Sequence, residues 1–237
     1  NWRCPTCRNY LGNSLKPVRA RVRQLIRDFP YLARAVKVAV DYTVGDGIKF
    51  QSRVKTAQEG KLDPKRCQKI EDAFAFWMDE ADIARKLHYY EIMALAKRQD
   101  LEGGEFLIVK KTLPARSNRY LPFALQVYEG DWLTEMSLKP ANPAHTVQQG
   151  IEYDPATGEV QAYHLTDPDG WGKAVRVPAA DVIHGFETLR PGQLRGISPF
   201  APGVLLAKDL QDRLEALEPV LEAQLTGDVT LGPLHAR

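Results

Sequence analysis

Over the first hundred positions, apolar residues recur at the three- and four-residue steps of a helix. Beyond residue 103 the pattern changes to the two-residue alternation of strands. Pro17 suits the first turn of a helix whose face is Val18, Val22, Leu25 and Ile26, with Arg19, Arg21, Arg23 and Arg27 on the other sides. Asp28-Phe29-Pro30 ends that helix and is expected to cap a second, carried by Leu32, Ala35, Val36, Ala39 and Val40. Gly45-Asp46-Gly47 stops it, and Ile48, Phe50 and Val54 read as extended. Asp63-Pro64 opens a third helix with Ile70, Phe74 and Trp77 as its buried face, and a fourth is expected over residues 83–99.

Gly103-Gly104 lets the chain reverse from helix into a strand over residues 105–111, with Phe106 and Ile108 opposite Leu107 and Val109. A second strand is expected over 121–128. Residues 149–153 and 159–165 flank Asp154-Pro155-Ala156-Thr157-Gly158, a five-residue connection that predicts a hairpin. Val175, Val177, Val182 and Ile183 suit extended chain, with Pro178 at an edge or turn. Gly196-Ile197-Ser198-Pro199 then starts a helix, Ser198 capping it and Pro199 lying where a missing N–H costs nothing. In that helix Leu206, Leu210, Leu214, Leu217 and Leu221 form one narrow seam among Lys208, Asp209, Asp212, Arg213, Glu215, Glu218 and Glu222. Such a seam suits packing against another helix, often one of another subunit. The order of helices, a small antiparallel sheet and one long helix predicts an α+β fold.

Composition adds less. Three cysteines in 237 residues argue against a disulfide framework and for a reducing compartment. No apolar run approaches the roughly 20 residues that span a bilayer, so no membrane partner is expected. The net charge is +2, but twelve Lys/Arg against four Asp/Glu in residues 1–60 make a basic head on a mildly acidic body. That asymmetry fits a polyanionic partner, subunits that attract one another, or merely solvated helix faces.

No motif assembles a catalytic constellation. Cys4-Pro5-Thr6-Cys7 could present two thiolates to zinc, and Cys67 and His88 could complete a Cys₃His set, but neither lies at finger spacing and both fall within predicted helices. Gly196-Ile197-Ser198-Pro199-Phe200 imitates a nucleophile elbow, but Pro199 lacks the N–H that an oxyanion hole takes from that position. Helix capping is the stronger reading of Ser198. His145, His164, His184 and His235 lack paired-ligand spacing, and a structural role is favoured for His184. Asp79, Glu80 and Asp82 read as a solvated turn; Trp77, Trp132 and Trp171 read as core or loop anchors. No catalytic residue, metal ligand or cofactor is therefore assigned.

Several segments, in order, resemble the portal proteins of tailed bacteriophages of the lambda-like type. They are R-A-R-V-R-Q-L-I-R-D-F-P-Y-L-A-R-A-V (Arg19 to Val36), V-G-D-G-I (Val44 to Ile48), F-W-M-D-E-A-D (Phe76 to Asp82) and L-E-G-G-E-F-L (Leu101 to Leu107). G-I-E-Y-D (Gly150 to Asp154), A-Y-H-L (Ala162 to Leu165), V-P-A-A-D-V-I-H-G-F and R-P-G-Q-L-R-G-I-S-P complete the series. The resemblance implies a non-enzymatic subunit of a ring, usually of twelve copies, at one vertex of the capsid in the virion. Its implied partners are further copies of itself, the terminase, capsid and head-completion proteins, and double-stranded DNA held without sequence specificity. Assembly in the host cytoplasm, DNA packaging and ejection, and head–tail joining are the implied roles.

On this reading residues 14–198 are wing-like, 199–225 a stem-like helix, 1–13 an irregular start and 226–237 an unstructured tail. Lys208 and Arg213 are the candidates to face DNA, and Leu206, Leu210, Leu214, Leu217 and Leu221 the candidates to pack between subunits. The clip, returning stem helix, tunnel loop and crown of the family have no counterpart in the sequence, so a fragment or a truncated prophage gene is expected. The competing readings are a zinc-dependent nucleic-acid-binding or processing protein and an inactive prophage remnant.

Overall fold

A computed structural model describes residues 15–56, 60–114, 118–134, 138–166 and 172–225, with side chains as far as residue 219. Four helices come first: α1 (Leu15–Asp28), α2 (Pro30–Val44), α3 (Pro64–Asp79) and α4 (Tyr89–Gly103). Seven strands follow: β1 (Glu105–Thr112), β2 (Phe123–Glu129), β3 (Thr146–Gln148), β4 (Ile151–Tyr153), β5 (Val160–Leu165), β6 (Val175–Pro178) and β7 (Val182–Phe186). The long helix α5 (Val204–Leu225) ends the described chain. The class is α+β, as the periodicities predict.

Val22 and Ile26 of α1 meet Val36 of α2 and Leu101 of α4, so the predicted apolar faces of the first two helices do close on each other. Arg19 departs from the expectation of a solvated side, since it is buried on that same helix. Asp28 does not cap α2. The cap position belongs to Phe29, whose ring is buried and whose carbonyl accepts from Leu32 and Ala33, while Pro30 opens the helix. Burying a ring there outweighs one exposed capping bond.

Asp63 caps α3 as predicted, accepting from the Arg66 N–H at 3.1 Å. Trp77 is buried and donates its indole N–H to the Phe123 carbonyl at 2.9 Å. Ile70, expected on the buried face, is 40% exposed. The rings that cover this helix, Tyr89 and Phe123, gather around Phe74 and Trp77 nearer its C-terminal end. The fourth helix begins at Tyr89, later than the expected 83. The carbonyls of Glu80, Asp82 and Ile83 are taken by the Arg119 guanidinium, so they are not free to serve a helix. His88 then caps α4, with Glu91 returning a bond to the His88 N–H.

The strands divide between two antiparallel sheets, β2-β1-β7 and β3-β4-β5-β6, where the pattern suggested one. The predicted hairpin is β4–β5, closed by the Asp154 N–H on the Glu159 carbonyl, with Gly158 at φ +80°. Pro178 lies on the edge strand β6, where the ladder needs no N–H from it. The alternation along β1 decides the layering. Leu107 and Val109 face the second sheet through Ile151, Tyr153, Tyr163 and Leu165. Ile108 faces the helices through Trp77, Ile92 and Ala96.

Candidate assembly interface

At the junction of α1, α4 and β1 the interior is charged. Glu105, the first residue of β1, has no exposed surface, yet it accepts from Arg19 at 2.5 Å, from Arg195 at 2.6 Å and from the backbone N–H of Gly196 at 2.8 Å. His184 Nε2 lies 3.2 Å from its other oxygen. Burial pushes the Glu105 carboxyl up, but the two arginines and His184 outweigh it and hold it well below the usual carboxylate range. Arg19 also donates to the Gly103 carbonyl and to Asp131, and Asp131 takes Arg23 as well. Arg195 adds the carbonyls of Gln149 and Gly130. Every charge in this group has a partner of opposite sign, the condition under which buried ions are tolerated.

Two glycines let the backbones close over that group. Gly104 sits at φ +83°, and a Cβ there would collide with Ile197 and Ser198. A Cβ on Gly196 would collide with the Gly104 carbonyl. The segments Leu101–Leu107 and Arg195–Ser198 are thus two halves of one joint, 90 positions apart in the chain. Ser198 fastens it. Its hydroxyl donates to the Leu101 carbonyl near the end of α4 and accepts from the Phe200 N–H at 3.1 Å. The predicted capping role is not met: a 3-10 turn over Ala201–Gly203 comes first, with Phe200 at its cap position and no side-chain cap bond, and α5 starts only at Val204. Ser198 instead closes the turn ahead of the helix, because its hydroxyl is drawn to the Leu101 carbonyl.

The joint aims α5. Phe200, Ala201 and Val204 pack into the core of α1, α2 and α4. Farther along, Arg21, Gln24 and Asp28 of α1 face Val204, Lys208 and Gln211 across a groove of about 360 Å³. The leucine seam is exposed, and from Asp212 to Pro219 so is every other described side chain of the helix. Leu206 is 75% exposed, Leu210 49%, Leu214 41% and Leu217 51%. Leu221 lies in the helix but beyond the described side chains. Lys208 bonds Asp212 at 2.6 Å along the helix, and Arg213 is exposed.

A second carboxylate is enclosed in the other sheet. Glu152 on β4 receives Arg176 in a two-pronged contact at 2.8 and 3.2 Å, with His145 and His164 each at 3.2 Å. The Arg176 hydrogen bond leads, burial opposes it, the histidines add to it, and the carboxyl is lowered to about 2. Glu152 has no exposed surface of its own, although the shell of protein over it is thin.

The residues singled out for chemistry are engaged structurally. Cys67 is buried and directs its thiol to the Val54 carbonyl, and His88 caps α4. Cys4, Cys7, Trp171 and His235 lie outside the described residues. No group of three or more His, Cys, Asp or Glu side chains is placed to hold a metal ion among the described residues. No described helix is long and apolar enough to cross a membrane. The buried Glu105 and its arginines had no signal in the periodicity, because a charged residue on an apolar face reads as a boundary of that face.

Comparison with known families agrees with the order of motifs. The family described as phage portal protein, lambda family, matches residues 6–220. The match extends past both ends of the quoted segments, taking in Cys7 and most of α5. Among curated proteins no match is found. The match spans both sheets, the first four helices and α5 as far as residue 220, and the chain therefore belongs to the lambda family of phage portal proteins.

Proposed function

We propose that this chain is a structural subunit of the portal ring at the capsid vertex, and that α5 carries part of the contact between subunits. The family is structural rather than enzymatic, and its place is the capsid vertex of the virion. The observation that carries the subunit contact is the outward leucine seam. Four leucines stand exposed in one stripe on a helix of which only Val204, Ala207 and Gln211, at its start beside α1, are half-buried. Water is a poor environment for such a stripe, and each side chain gains roughly 1.5–3 kcal/mol when fully buried.

In this reading the wing-like part spans residues 14–198 and the stem-like helix residues 199–225. Partners are other copies of the chain, the terminase, capsid and head-completion proteins, in packaging, ejection and head–tail joining. Double-stranded DNA would be met through phosphate alone, by Arg213 and by Lys208 when it leaves Asp212. The native mass of the purified chain, followed by light scattering over a concentration series, tests this. A discrete closed oligomer is expected. A monomer at every concentration overturns the proposal.

A further inference from the structure

Resting on that ring reading, we infer where the seam goes: α5 of one copy lies on the basic face that residues 47–56 and 60–70 present on the next copy. A seam that met the same seam of a second copy would be an isologous contact and would close a dimer. A ring of more than two members needs the seam to meet a different surface. That surface must be apolar enough to take leucines and must complement the charge beside them.

Residues 47–56 and 60–70 supply both. Residues 47–56 and 60–63 lie alongside α3, the Lys55–Leu62 bridge and the Asp63 N–H on the Val54 carbonyl bringing the chain back to the helix. This stretch is held by the Tyr90 hydroxyl on the Ile48 carbonyl, the Ser52 N–H on Glu71, and the Phe50 ring against Phe74 at 4.7 Å. Ile48, Phe50, Leu62 and Ile70 remain exposed along it. Between them stand Lys49, Arg53, Lys55, Lys65 and Lys69, all exposed and without an ion pair among the described residues. The nearby acids are already used, Glu71 by Ser52 and Asp63 by Arg66.

The helix is the counterpart. On α5, Asp212 is tied to Lys208 and Glu215 to Gln211. Asp209 and Glu218, which helical spacing puts on either flank of the leucines, have no ion pair among the described residues. Arg213 at the seam's edge is outnumbered by these acids. Within one copy neither surface covers the other, since both leave their apolar side chains in water. Opposite charge around an apolar strip speeds the encounter and fixes the register, as salt-sensitive contacts do.

One-sided variants test the pairing. Lys65→Glu with Lys69→Glu spoils the basic face and keeps α5; Leu210→Asp with Leu214→Asp spoils the seam and keeps the basic face. Light scattering should find each variant alone at least about tenfold weaker in self-association than the unaltered chain. Mixed one to one, they should form a species of twice the chain mass, because one intact seam meets one intact basic face. If the unaltered chain assembles while the mixture stays monomeric, the pairing is overturned and the ring reading stands. If the lysine variant assembles normally but no longer retains duplex DNA on a filter, the face is a nucleic-acid surface and the pairing is again overturned. An unaltered chain that never assembles overturns both.

Discussion

The joint around Glu105 and the outer face of α5 reverse the usual distribution of residue types. At the joint, four charged side chains and a histidine are gathered inside; on α5, leucines stand in water. Each arrangement would be costly unless completed. The joint is complete within the chain, because every ionised group meets opposite charge or a backbone dipole. The helix face is not, because among the described residues nothing covers its leucines. Internal closure marks the part of the molecule that must hold its shape, and on the proposed ring reading the open face marks the part that another copy finishes.

Breaking the joint should have the largest effect. Glu105→Gln keeps the shape but leaves Arg195 and Arg19 buried against a neutral amide, and a loss of about 3–5 kcal/mol is expected in urea unfolding. A leucine-like tolerance at this position would mean that the charges are dispensable to the body. Gly196→Ala tests the closeness of the two backbones and should cost roughly 2–3 kcal/mol, read as a lower melting temperature. The same substitution at Gly45, whose Cβ would meet nothing but whose φ is +51°, isolates backbone strain from collision and should cost less.

How far the sequence discloses this depends on which signal each element uses. α1, α2 and α3 bury one side against neighbours, so the 3.6-residue period of Val22, Ile26, Val36 and Trp77 betrays them. The β4–β5 hairpin is announced by its turn residues, and the leucine seam by its spacing. Arg19 and Glu105 are illegible for a physical reason: their burial depends on partners 86 and 90 positions away, and no local period encodes that. The outward turn of Ile70, the late start of α4 and the division into two sheets are likewise decided by long-range partners, Arg119 among them. The seam was legible as a candidate contact, and the basic face was not, because its apolar residues come from an extended segment and a helix together.

A milder way to probe internal closure is acid. The Glu152 carboxyl is lowered to about 2 by Arg176 and its histidines, against about 4.3 in an unfolded chain. A lowered carboxyl adds stability that is fully present above the unfolded value and is lost as pH falls from about 4.3 towards 2. With the thin cover over Glu152, the contribution is on the order of 1–2 kcal/mol after screening by nearby water. Unfolding curves for the unaltered chain and Glu152→Gln should therefore differ near neutral pH and converge through that window. Curves that stay parallel would show that the cluster is held by packing rather than charge.

The smallest expected effect on the body is the one that separates the two regions most clearly. Leu210→Ser and Leu214→Ser remove apolar surface that water already reaches, so each should change the unfolding free energy of the isolated chain by less than about 0.5 kcal/mol. Measured at dilution, where copies are apart, the two variants should be indistinguishable from the unaltered chain. Measured at concentrations where copies meet, they should lose the extra stability that assembly confers, since a partner that binds only folded chain raises its apparent stability by mass action. A loss of several kcal/mol already at dilution would mean that α5 folds its leucines onto its own body in solution, and the division between a closed joint and an open helix would fail.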